Sequence, residues 1–435
     1  MRTEGYAESD RLCVLLAVHT GAGESVSLFG LAPVERTALA FARSGVRRFL
    51  LAGDADAIAA AERTLRQGAC RALRVRSVAS LAPAIGDEPC FLARTDCHYD
   101  RQLVARFVEE NRGAVDSVVA VDFRPEANQR GFGLPRVAVW SRDDARARVQ
   151  RVARELVGAD GVLIGLAVAT PVWARAADAE GNAERAFLHA LGALGVREPV
   201  ATWPVLERWQ SVRRAEDLPR ARREVLAGAA RVGDGVIARY LNRPISLRIT
   251  ERLIARPVKP WQVSVATFVM TLAAGLSFAI GHATTGGLLA QCASVLDGVD
   301  GELAHVRYQD SAFGGLYDAL LDRVGEAAVI GGMTLYAWLM GAGALAVALG
   351  FAALAGNSLS MLVKEKYGTQ FQRPWATERE GRWRWLLLGR DGRLFLTLIA
   401  GLTGQVELVL AYIAVGTHVY AGARIVRIRA EAARA

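Results

Sequence analysis

Four aspartates lie in one stretch of the chain, residues 296–323, which reads LDGVDGELAHVRYQDSAFGGLYDALLDR. Asp297 and Asp300 are three residues apart. Asp318 and Asp322 are four apart, so on helices each pair shares one face. Four carboxylates that converge beside apolar segments repel one another unless a cation lies among them, and carboxylate oxygens suit Mg²⁺, Mn²⁺ or Ca²⁺ rather than zinc. The stretch therefore predicts a divalent-cation site at a hairpin of two membrane helices.

The aspartates belong to the apolar half of a chain of 435 residues. Hydrophobic residues make up 52% of the whole, and the mean hydropathy of +0.20 is high for a soluble protein. Charged residues are abundant before Lys259, and long apolar runs follow it. In these runs we expect six transmembrane helices, each crossing a hydrocarbon core of about 30 Å. They are predicted at 261–281, from 284 through 296, from 315, at 341–363, at 394–402 with a start near 385, and at 406–424.

The charges of the loops indicate how these helices are oriented. Basic residues occupy the entry at 252–259, the second loop at Arg307, the fourth loop at 364–390 and the tail after Arg424. The intervening connections carry no Lys or Arg. This alternation predicts that both termini and the aspartates lie on the cytoplasmic side of the inner membrane, because basic loops stay in the cytoplasm. Six buried helices of a soluble protein would not produce such an alternation.

Residues 234–256 join the two halves of the chain and interleave five arginines with apolar residues. The pattern is typical of one or two amphipathic helices at the membrane interface, interrupted at Pro244. We therefore expect a cytoplasmic domain at 1–232, a juxtamembrane amphipathic segment at 233–259 and a six-helix membrane domain at 260–435.

The first half alternates short β-like runs with amphipathic helical runs. Helices are predicted at 34–44 and 55–67, and strands at 12–19, 47–52, 72–75, 90–93, 117–122, 137–140, 161–167 and 199–201. Strands separated by helices of this length indicate an α/β domain with a mostly parallel sheet and helices on both faces. Such sheets bind ligands at the carboxyl ends of their strands, where the loop TGAGES (20–25) and Asp96 would lie.

Charge and cysteine content narrow the partners and the compartment. The net charge of +9 and the pI of about 9.6 fit either nucleic acid or an anionic membrane surface. Arginines flank the apolar runs and no nucleic-acid motif is found, so the expected partner is the lipid bilayer. The five cysteines form no CxxC pair, as expected for a reduced cytoplasmic domain. The N-terminus lacks the apolar core of a signal peptide, so no cleaved signal is expected.

The aspartate stretch resembles the signature of the CDP-alcohol phosphotransferase family, DxxDGxxAR followed after eight residues by GxxxDxxxD. Here the first part runs from Asp297 to His305, and the second begins at Gly314. His305 is the departure, because it stands where the family has Arg, with Arg307 two residues later. The resemblance implies six membrane helices behind an interfacial helix, a CDP-linked alcohol donor and a homodimer.

The resemblance also implies a role for each residue. The four aspartates would hold Mg²⁺ (or Mn²⁺) against the pyrophosphate of the donor, and Asp322 would be the general base for the acceptor hydroxyl. The residues implied in CDP binding are Gly301, Ala304, His305, Arg307 and Gly314. A polar or phosphorylated polyol acceptor needs cations, for which Lys364, Arg390 and Arg393 are the candidates. Lys364 is equally consistent with ordinary flanking charge.

The first half resembles the sugar-phosphate nucleotidyltransferases. TGAGES stands where they have a glycine-rich loop, FLARTDCHYD places Asp96 at their first metal-binding Asp, and WQSVRRAEDL resembles their closing segment. No Arg closes the loop, no Pro-Lys step follows it, and Ser211 and Arg213 replace acidic residues. We therefore expect a folded but catalytically inactive domain, because phosphate neutralisation and metal binding are lost. The two halves together resemble the bifunctional inositol-phosphate cytidylyltransferase/di-myo-inositol-phosphate-phosphate synthases.

Three functions remain open. The leading hypothesis is a transferase that moves a phosphoalcohol from a CDP-linked donor and releases CMP. Its substrates would be a soluble CDP-polyol and an inositol-phosphate-like acceptor, or CDP-diacylglycerol in phospholipid synthesis. The second is a catalytically inactive membrane scaffold of the same fold, favoured by His305 and by Trp261, which replaces an Asn of the family. The third is a transporter that uses carboxylates within the membrane.

Overall fold

The computed structural model describes residues 9–18, 26–78, 82–85, 87–131, 134–139, 148–153, 156–173, 200–229, 234–371, 375 and 377–432. The chain forms two compact units, Met1–Gly228 and Ala229–Ala435. The domain bounds expected from the sequence, at 232 and 259, stay a prediction. The loop TGAGES lies outside the described residues.

The first unit is built on a sheet whose central strands are buried apolar runs. Its strands are β1 (Ser9–Ala17), β2 (Val46–Gly53), β3 (Arg74–Ser77), β4 (Cys90–Arg94), β6 (Val118–Asp122), β7 (Arg136–Val139), β8 (Val149–Ala153), β9 (Gly161–Ala169) and β10 (Ala201–Pro204), while β5 (Cys97–Tyr99) and β11 (Trp209–Ser211) pair separately. The order is β10-β6-β9-β4-β1-β2-β3, with β7 beside β9 and β8 beside β7. Four of the pairings are parallel, and β9 runs antiparallel between β4 and β6. The predicted α/β unit with a mostly parallel sheet is confirmed.

Helices cover this sheet. They are α1 (Pro33–Arg43), α2 (Ala55–Gln67), α3 (Ala82–Ile85), α4 (Arg101–Glu110), α5 (Ala127–Arg130) and α6 (Leu218–Gly228). Phe91 on β4 contacts Phe41 on α1 and Phe107 on α4, with ring centroids 5.9 and 6.0 Å apart. These two helices therefore pack on the same face of the sheet, and their apolar side chains complete its core.

The second unit contains helices only, among its described residues. They are α7 (Arg243–Ile254), α8 (Pro260–Ala279), α9 (Ala283–Val306), α10 (Ala312–Ala337), α11 (Gly343–Phe371), α12 (Arg390–Thr403) and α13 (Val406–Ala432). A π turn, Ala238–Asn242, leads into α7 without a break in the helical backbone, and Pro244 is the second residue of α7. A 3₁₀ segment, Thr377–Leu386, precedes α12.

Three apolar stretches of this unit are long enough to cross a bilayer, judged by length and composition within the described residues. They are Pro260–Ala279, Ala312–Phe371 and Val406–Ala432, with mean hydropathies of 1.6, 2.0 and 1.4. The middle stretch combines α10 and α11 and is broken where Gly341 adopts a φ of 102°. A helical, apolar second half is thus confirmed, whereas the count of six spans and the amphipathic nature of 234–256 stay predictions.

Helices α8 and α10 approach each other backbone to backbone at Gly275 and Gly332. A Cβ added at Gly332 would collide with the carbonyl oxygen of Gly275. Small residues at crossings of this kind let membrane helices pack closely. The crossing holds α8, which carries Ser264, against α10, which carries Asp318 and Asp322.

Substitution of Gly332 by Ala is expected to lower the free energy of unfolding by about 1–3 kcal/mol, because the added methyl group overpacks this crossing. The matched control is Gly331→Ala, since a Cβ at Gly331 meets no atom within 4 Å. Thermal unfolding of both variants in detergent checks the prediction. Equal melting temperatures for the two variants would contradict the close crossing.

Candidate active site

Two helices bring three of the four aspartates together. Asp297 lies on α9, and Asp318 and Asp322 lie on α10, one turn apart. One carboxylate oxygen from each can be chosen so that all three lie within 4.8 Å of one another. The turn between the helices is fixed by Ser311, whose Oγ accepts the N–H of Gly314 at 3.0 Å and so caps α10.

Asp300 lies outside this group of three and is buried. Its carboxylate accepts a close hydrogen bond from the hydroxyl of Ser264 on α8 and one of 2.5 Å from the backbone N–H of Gly301. Ser264 therefore connects α8 to the aspartate helix. The sequence analysis did not predict this contact, although Ser264 stands where the family pattern near Trp261 has Thr.

Arg390, the first residue of α12, places its guanidinium between two of the aspartates. Nη1 forms an ion pair with Oδ2 of Asp297, and Nη2 lies 2.5 Å from Oδ1 of Asp322. Nε is 3.7 Å from Oε1 of Glu326. The side chains of Asp297, Asp322 and Arg390 are 25%, 15% and 21% exposed, so the pairs are only partly screened by solvent.

The oxygens of these carboxylates fit a divalent cation. Oδ1 of Asp297 is buried and has no hydrogen-bond partner among the described residues. Together with one oxygen from each of the two other carboxylates, it offers the hard oxygen ligands that suit Mg²⁺ or Mn²⁺. Three of the four aspartates predicted to form the cluster therefore converge, and the fourth, Asp300, is hydrogen-bonded to Ser264 instead. The identity of the metal stays a prediction.

Arg393 makes different contacts from those of Arg390, although the two lie one helical turn apart. Its Nη2 is 2.8 Å from Oε1 of Glu326, and its Nη1 donates to the carbonyl of Leu388 at 2.6 Å. Glu326 is buried and also accepts from Asn357 and Arg323, each at 2.7 Å. The structure thus gives Arg393 a buried carboxylate partner, and its predicted contact with an acceptor stays a prediction.

A cavity of about 410 Å³ is lined by Asp297 and Arg390 and also by Lys364, a second candidate for acceptor binding. Its other charged lining residues are Asp234, Arg243, Glu380, Arg384, Asp391 and Arg424. Arg243 and Arg424 were not predicted as site residues. Both already have partners, since Arg243 Nε is 2.6 Å from Asp234 and Arg424 Nη2 is 2.5 Å from Glu380. The sequence does not predict the pair of Arg424 and Glu380, because the two residues lie in different elements far apart along the chain.

Four of the five residues predicted to bind CDP lie near the turn that joins α9 to α10. Gly301, Ala304 and His305 lie on the last turns of α9, and Gly314 lies in the first turn of α10. Arg307 instead donates to backbone carbonyls at the end of α7 and just beyond it, among them Ile254 at 2.8 Å and Arg256 at 2.6 Å. It thus caps α7, and the CDP-binding roles of all five residues stay predictions.

Glu302, on α9 between Asp300 and Ala304, is a buried carboxylate that the sequence analysis did not single out. Its oxygens accept hydrogen bonds from Ser246 and Thr250 on α7, each at 2.6 Å. Arg243 forms an ion pair with it at 2.6 Å. Both carboxylate oxygens of Glu302 thus bind side chains of α7, and these contacts fix α7 against α9, the helix that carries Asp297.

In the first unit, Asp96 is likewise a buried carboxylate with a full set of partners. Arg94 donates two hydrogen bonds to it, at 2.9 and 2.7 Å, and Arg213 Nε lies 3.2 Å from its Oδ2. Burial alone would raise the pKa of Asp96, but the charge and hydrogen bonds of Arg94 and the charge of Arg213 outweigh it and hold the pKa below its ordinary value. Gly165, with a φ of 87°, makes room, because a Cβ there would collide with the Arg94 stem.

Substitution of Glu302 by Gln is expected to destabilise the protein by about 3 kcal/mol and to increase amide exchange in α7, because Arg243 loses one of its two carboxylate partners. The control is Glu251→Gln, which removes an exposed carboxylate from α7, the helix whose amide exchange is measured. Thermal unfolding and hydrogen exchange in detergent check this. Unchanged exchange in α7 of the Glu302 variant would show that the helix is held by other contacts.

Comparison with known proteins agrees with this geometry. A sequence profile of the CDP-alcohol phosphatidyltransferase family matches residues 258–422. The chain is 36% identical over 299 residues to the bifunctional IPC transferase and DIPP synthase of Rubrobacter xylanophilus, a match that covers 66% of this chain and 64% of that protein. It is 31% identical over 88 residues to the archaetidylinositol phosphate synthase of Pyrococcus horikoshii, covering 20% of this chain and 47% of that protein.

The match thus spans less than two thirds of the length of either curated relative. The match to the Rubrobacter protein covers 66% of this chain, which is more residues than the second unit contains. The likeness therefore extends into the first unit. The solved structure of the inositol-1-phosphate CTP transferase from T. maritima superposes with a TM-score of 0.40 and 14% identity, over 50% of this chain and 96% of that one, a likeness of fold alone. The predicted resemblance to the phosphotransferase family is confirmed: residues 258–422 form a CDP-alcohol phosphatidyltransferase domain.

Proposed function

We propose that the protein is an integral membrane transferase that moves a phosphoalcohol group from a CDP-linked donor to an acceptor hydroxyl and releases CMP. The observation that carries this proposal is the convergence of Asp297, Asp318 and Asp322 beside a polar cavity, inside the segment that matches the family. Carboxylates in an apolar helical unit are costly, so a set that meets at one point is expected to serve chemistry.

The aspartates of the signature would bind Mg²⁺ or Mn²⁺ through Asp297, Asp318 and Asp322, with Asp300 held beside them by Ser264. When bound, the metal would supply positive charge for the pyrophosphate of the donor. Asp322 would accept the proton of the acceptor hydroxyl as its oxygen attacks the β-phosphorus of the donor. The bond from that phosphorus to the oxygen of CMP would break, and CMP would leave with the electron pair.

The cavity would hold the acceptor. Lys364 and Arg390 line it and supply cations for a phosphorylated polyol, whereas Arg393 would act through Glu326. Gly301 and Ala304 would leave space for the cytidine, and His305 would stand where the family has Arg. The CDP would then lie along α9 and the first turn of α10.

The relatives favour an inositol-phosphate type of reaction. The relative from Rubrobacter is named for IPC transfer and DIPP synthesis, and its likeness reaches both units of this chain. We therefore propose a soluble CDP-polyol as the donor and an inositol-phosphate-like acceptor. The relative from Pyrococcus, named for archaetidylinositol phosphate, favours the second candidate, in which a CDP-diacylglycerol-type donor yields a phospholipid.

In the membrane, the second unit would span the bilayer six times, with helices α8 to α13 as the spans and α7 at the interface. The basic residues around α7 and in the segment before α12 would keep both termini and the aspartates in the cytoplasm, at the inner membrane. The family resemblance adds a homodimer.

The first unit would be catalytically inactive. Asp96, the counterpart of a metal-binding Asp, is occupied by two arginines within the fold, and a metal would have to displace both. The first unit would then not produce the CDP-linked donor, and another enzyme would supply it to the second unit.

A labelled-donor assay tests the transferase proposal. Purified protein given Mg²⁺, CDP-inositol or CDP-diacylglycerol and a panel of polyol phosphates is expected to release CMP, and Asp322→Asn to lower the rate at least about 100-fold, as loss of a general base does. The control is Glu407→Gln, which removes an exposed carboxylate at the start of α13. No CMP with any donor would instead favour an inactive scaffold, whereas full activity of the Asp322 variant would contradict its role as the general base.

A second assay addresses the first unit. The full chain supplied with CTP, Mg²⁺ and inositol 1-phosphate is expected to release no pyrophosphate above the level of an Asp96→Asn variant. Pyrophosphate release that depends on Asp96 would contradict an inactive first unit.

A further inference from the structure

Arg390 occupies the position that a cation would take among the aspartates. Its two terminal nitrogens bind oxygens of Asp297 and Asp322, two of the three residues whose oxygens converge. A guanidinium and a divalent cation cannot share the same carboxylate oxygens without repulsion between like charges at short range. Arg390 therefore offsets part of the negative charge of the aspartates within the protein itself.

Two other arginines of the cavity wall are bound to their own carboxylates. Arg243 is paired with Asp234 and Glu302, and Arg424 is paired with Glu380. Lys364 lines the same cavity and makes no hydrogen bond or ion pair with any residue that the structure describes. Arg384 lies over the ring of Trp385. While Arg390 is bound to the aspartates, Lys364 and Arg384 are therefore the lining cations that an anion could recruit.

The position of Arg390 allows a change of partner. It is the first residue of α12, its side chain lines the cavity, and its long stem can reorient without movement of the helix. A metal bound to Asp297 and Asp322 would repel the guanidinium, which would then face the cavity beside Lys364. Two cations on one wall recognise a phosphate group better than one, and Arg adds a planar set of donors.

We propose that Arg390 stands in for the metal and competes with it, and that metal binding releases Arg390 to complete an anion site with Lys364. The inference rests on the proposed function, because it assumes that the aspartates bind a divalent cation. It adds an order to the reaction, in which the metal prepares the protein for an acceptor that carries a phosphate. Arg390 is in this sense both a positioning residue and a residue that contacts the acceptor.

Manganese binding tests the competition without any substrate. Mn²⁺ titration of the full-length protein in detergent, followed by electron paramagnetic resonance, is expected to show about tenfold tighter binding for Arg390→Gln, because the competing charge is gone. The control Arg382→Gln removes an exposed guanidinium from the 3₁₀ segment before α12 and is expected to leave the affinity unchanged. Equal or weaker Mn²⁺ binding by Arg390→Gln than by Arg382→Gln would overturn the competition.

A conservative variant guards against misfolding. Arg390→Lys keeps one positive charge but cannot bridge two carboxylates, so its Mn²⁺ affinity is expected between those of the wild type and Arg390→Gln. Both variants are first compared with the wild type by thermal unfolding. An Arg390→Lys variant that melts like the wild type but binds Mn²⁺ more weakly would overturn the proposal even if Arg390→Gln does not fold.

Phosphate binding tests the second part of the proposal, the anion site formed by Arg390 and Lys364. Inorganic phosphate, titrated calorimetrically, is expected to bind the wild type about tenfold more tightly with Mg²⁺ than without it, and Arg390→Gln is expected to lose most of this gain. Lys364→Gln is expected to weaken binding in both conditions. A gain from Mg²⁺ that survives fully in Arg390→Gln would mean that phosphate binds the metal directly, and would overturn the released anion site. Neither titration uses a CDP-linked donor, so failure here is distinct from failure of the transferase assay.

Discussion

Electrostatic repulsion among aspartates at one point is the constraint on which the second unit depends. Asp297, Asp318 and Asp322 converge from two helices, and their charges must be balanced before those helices can pack. Arg390 offsets part of this charge through its ion pairs with Asp297 and Asp322, and Glu326 is paired in turn with Arg393 and Arg323. Function and folding therefore make demands on the same carboxylates.

The surrounding contacts fix these charges in place. Glycines let α8 and α10 approach closely, while Ser264 links α8 to Asp300. Glu302 binds α7 through two hydroxyls and a guanidinium, so α7 is joined to α9 by buried polar contacts rather than by apolar packing alone. The first unit contains a similar arrangement at Asp96, a buried carboxylate paired with Arg94 and Arg213.

Local patterns predicted much of this structure. Spacing placed the aspartates on helix faces, and the residue patterns gave α1, α2 and the central strands of the α/β unit to within a few residues. They did not predict α4, α6 or β8, nor the order of the strands in the sheet. The partners of Arg390, Glu302 and Asp96 could not be predicted, because each ion pair joins residues brought together by tertiary packing, or, for Arg94 and Asp96, by the local backbone. Arg393 and Arg390 look equivalent in the motif GRDGR and both contact α10, yet Arg390 also reaches Asp297 on α9, whereas Arg393 binds Glu326.

We propose that the three converging aspartates form a divalent-cation site. An experimental structure of the full-length protein soaked with Mn²⁺, with anomalous scattering recorded at the manganese edge, would locate the ion. An anomalous peak is expected within ligand distance of Asp297, Asp318 and Asp322, with Arg390 turned away from them. No peak at this position under saturating Mn²⁺, with Arg390 still bound to Asp297 and Asp322, would contradict the proposal.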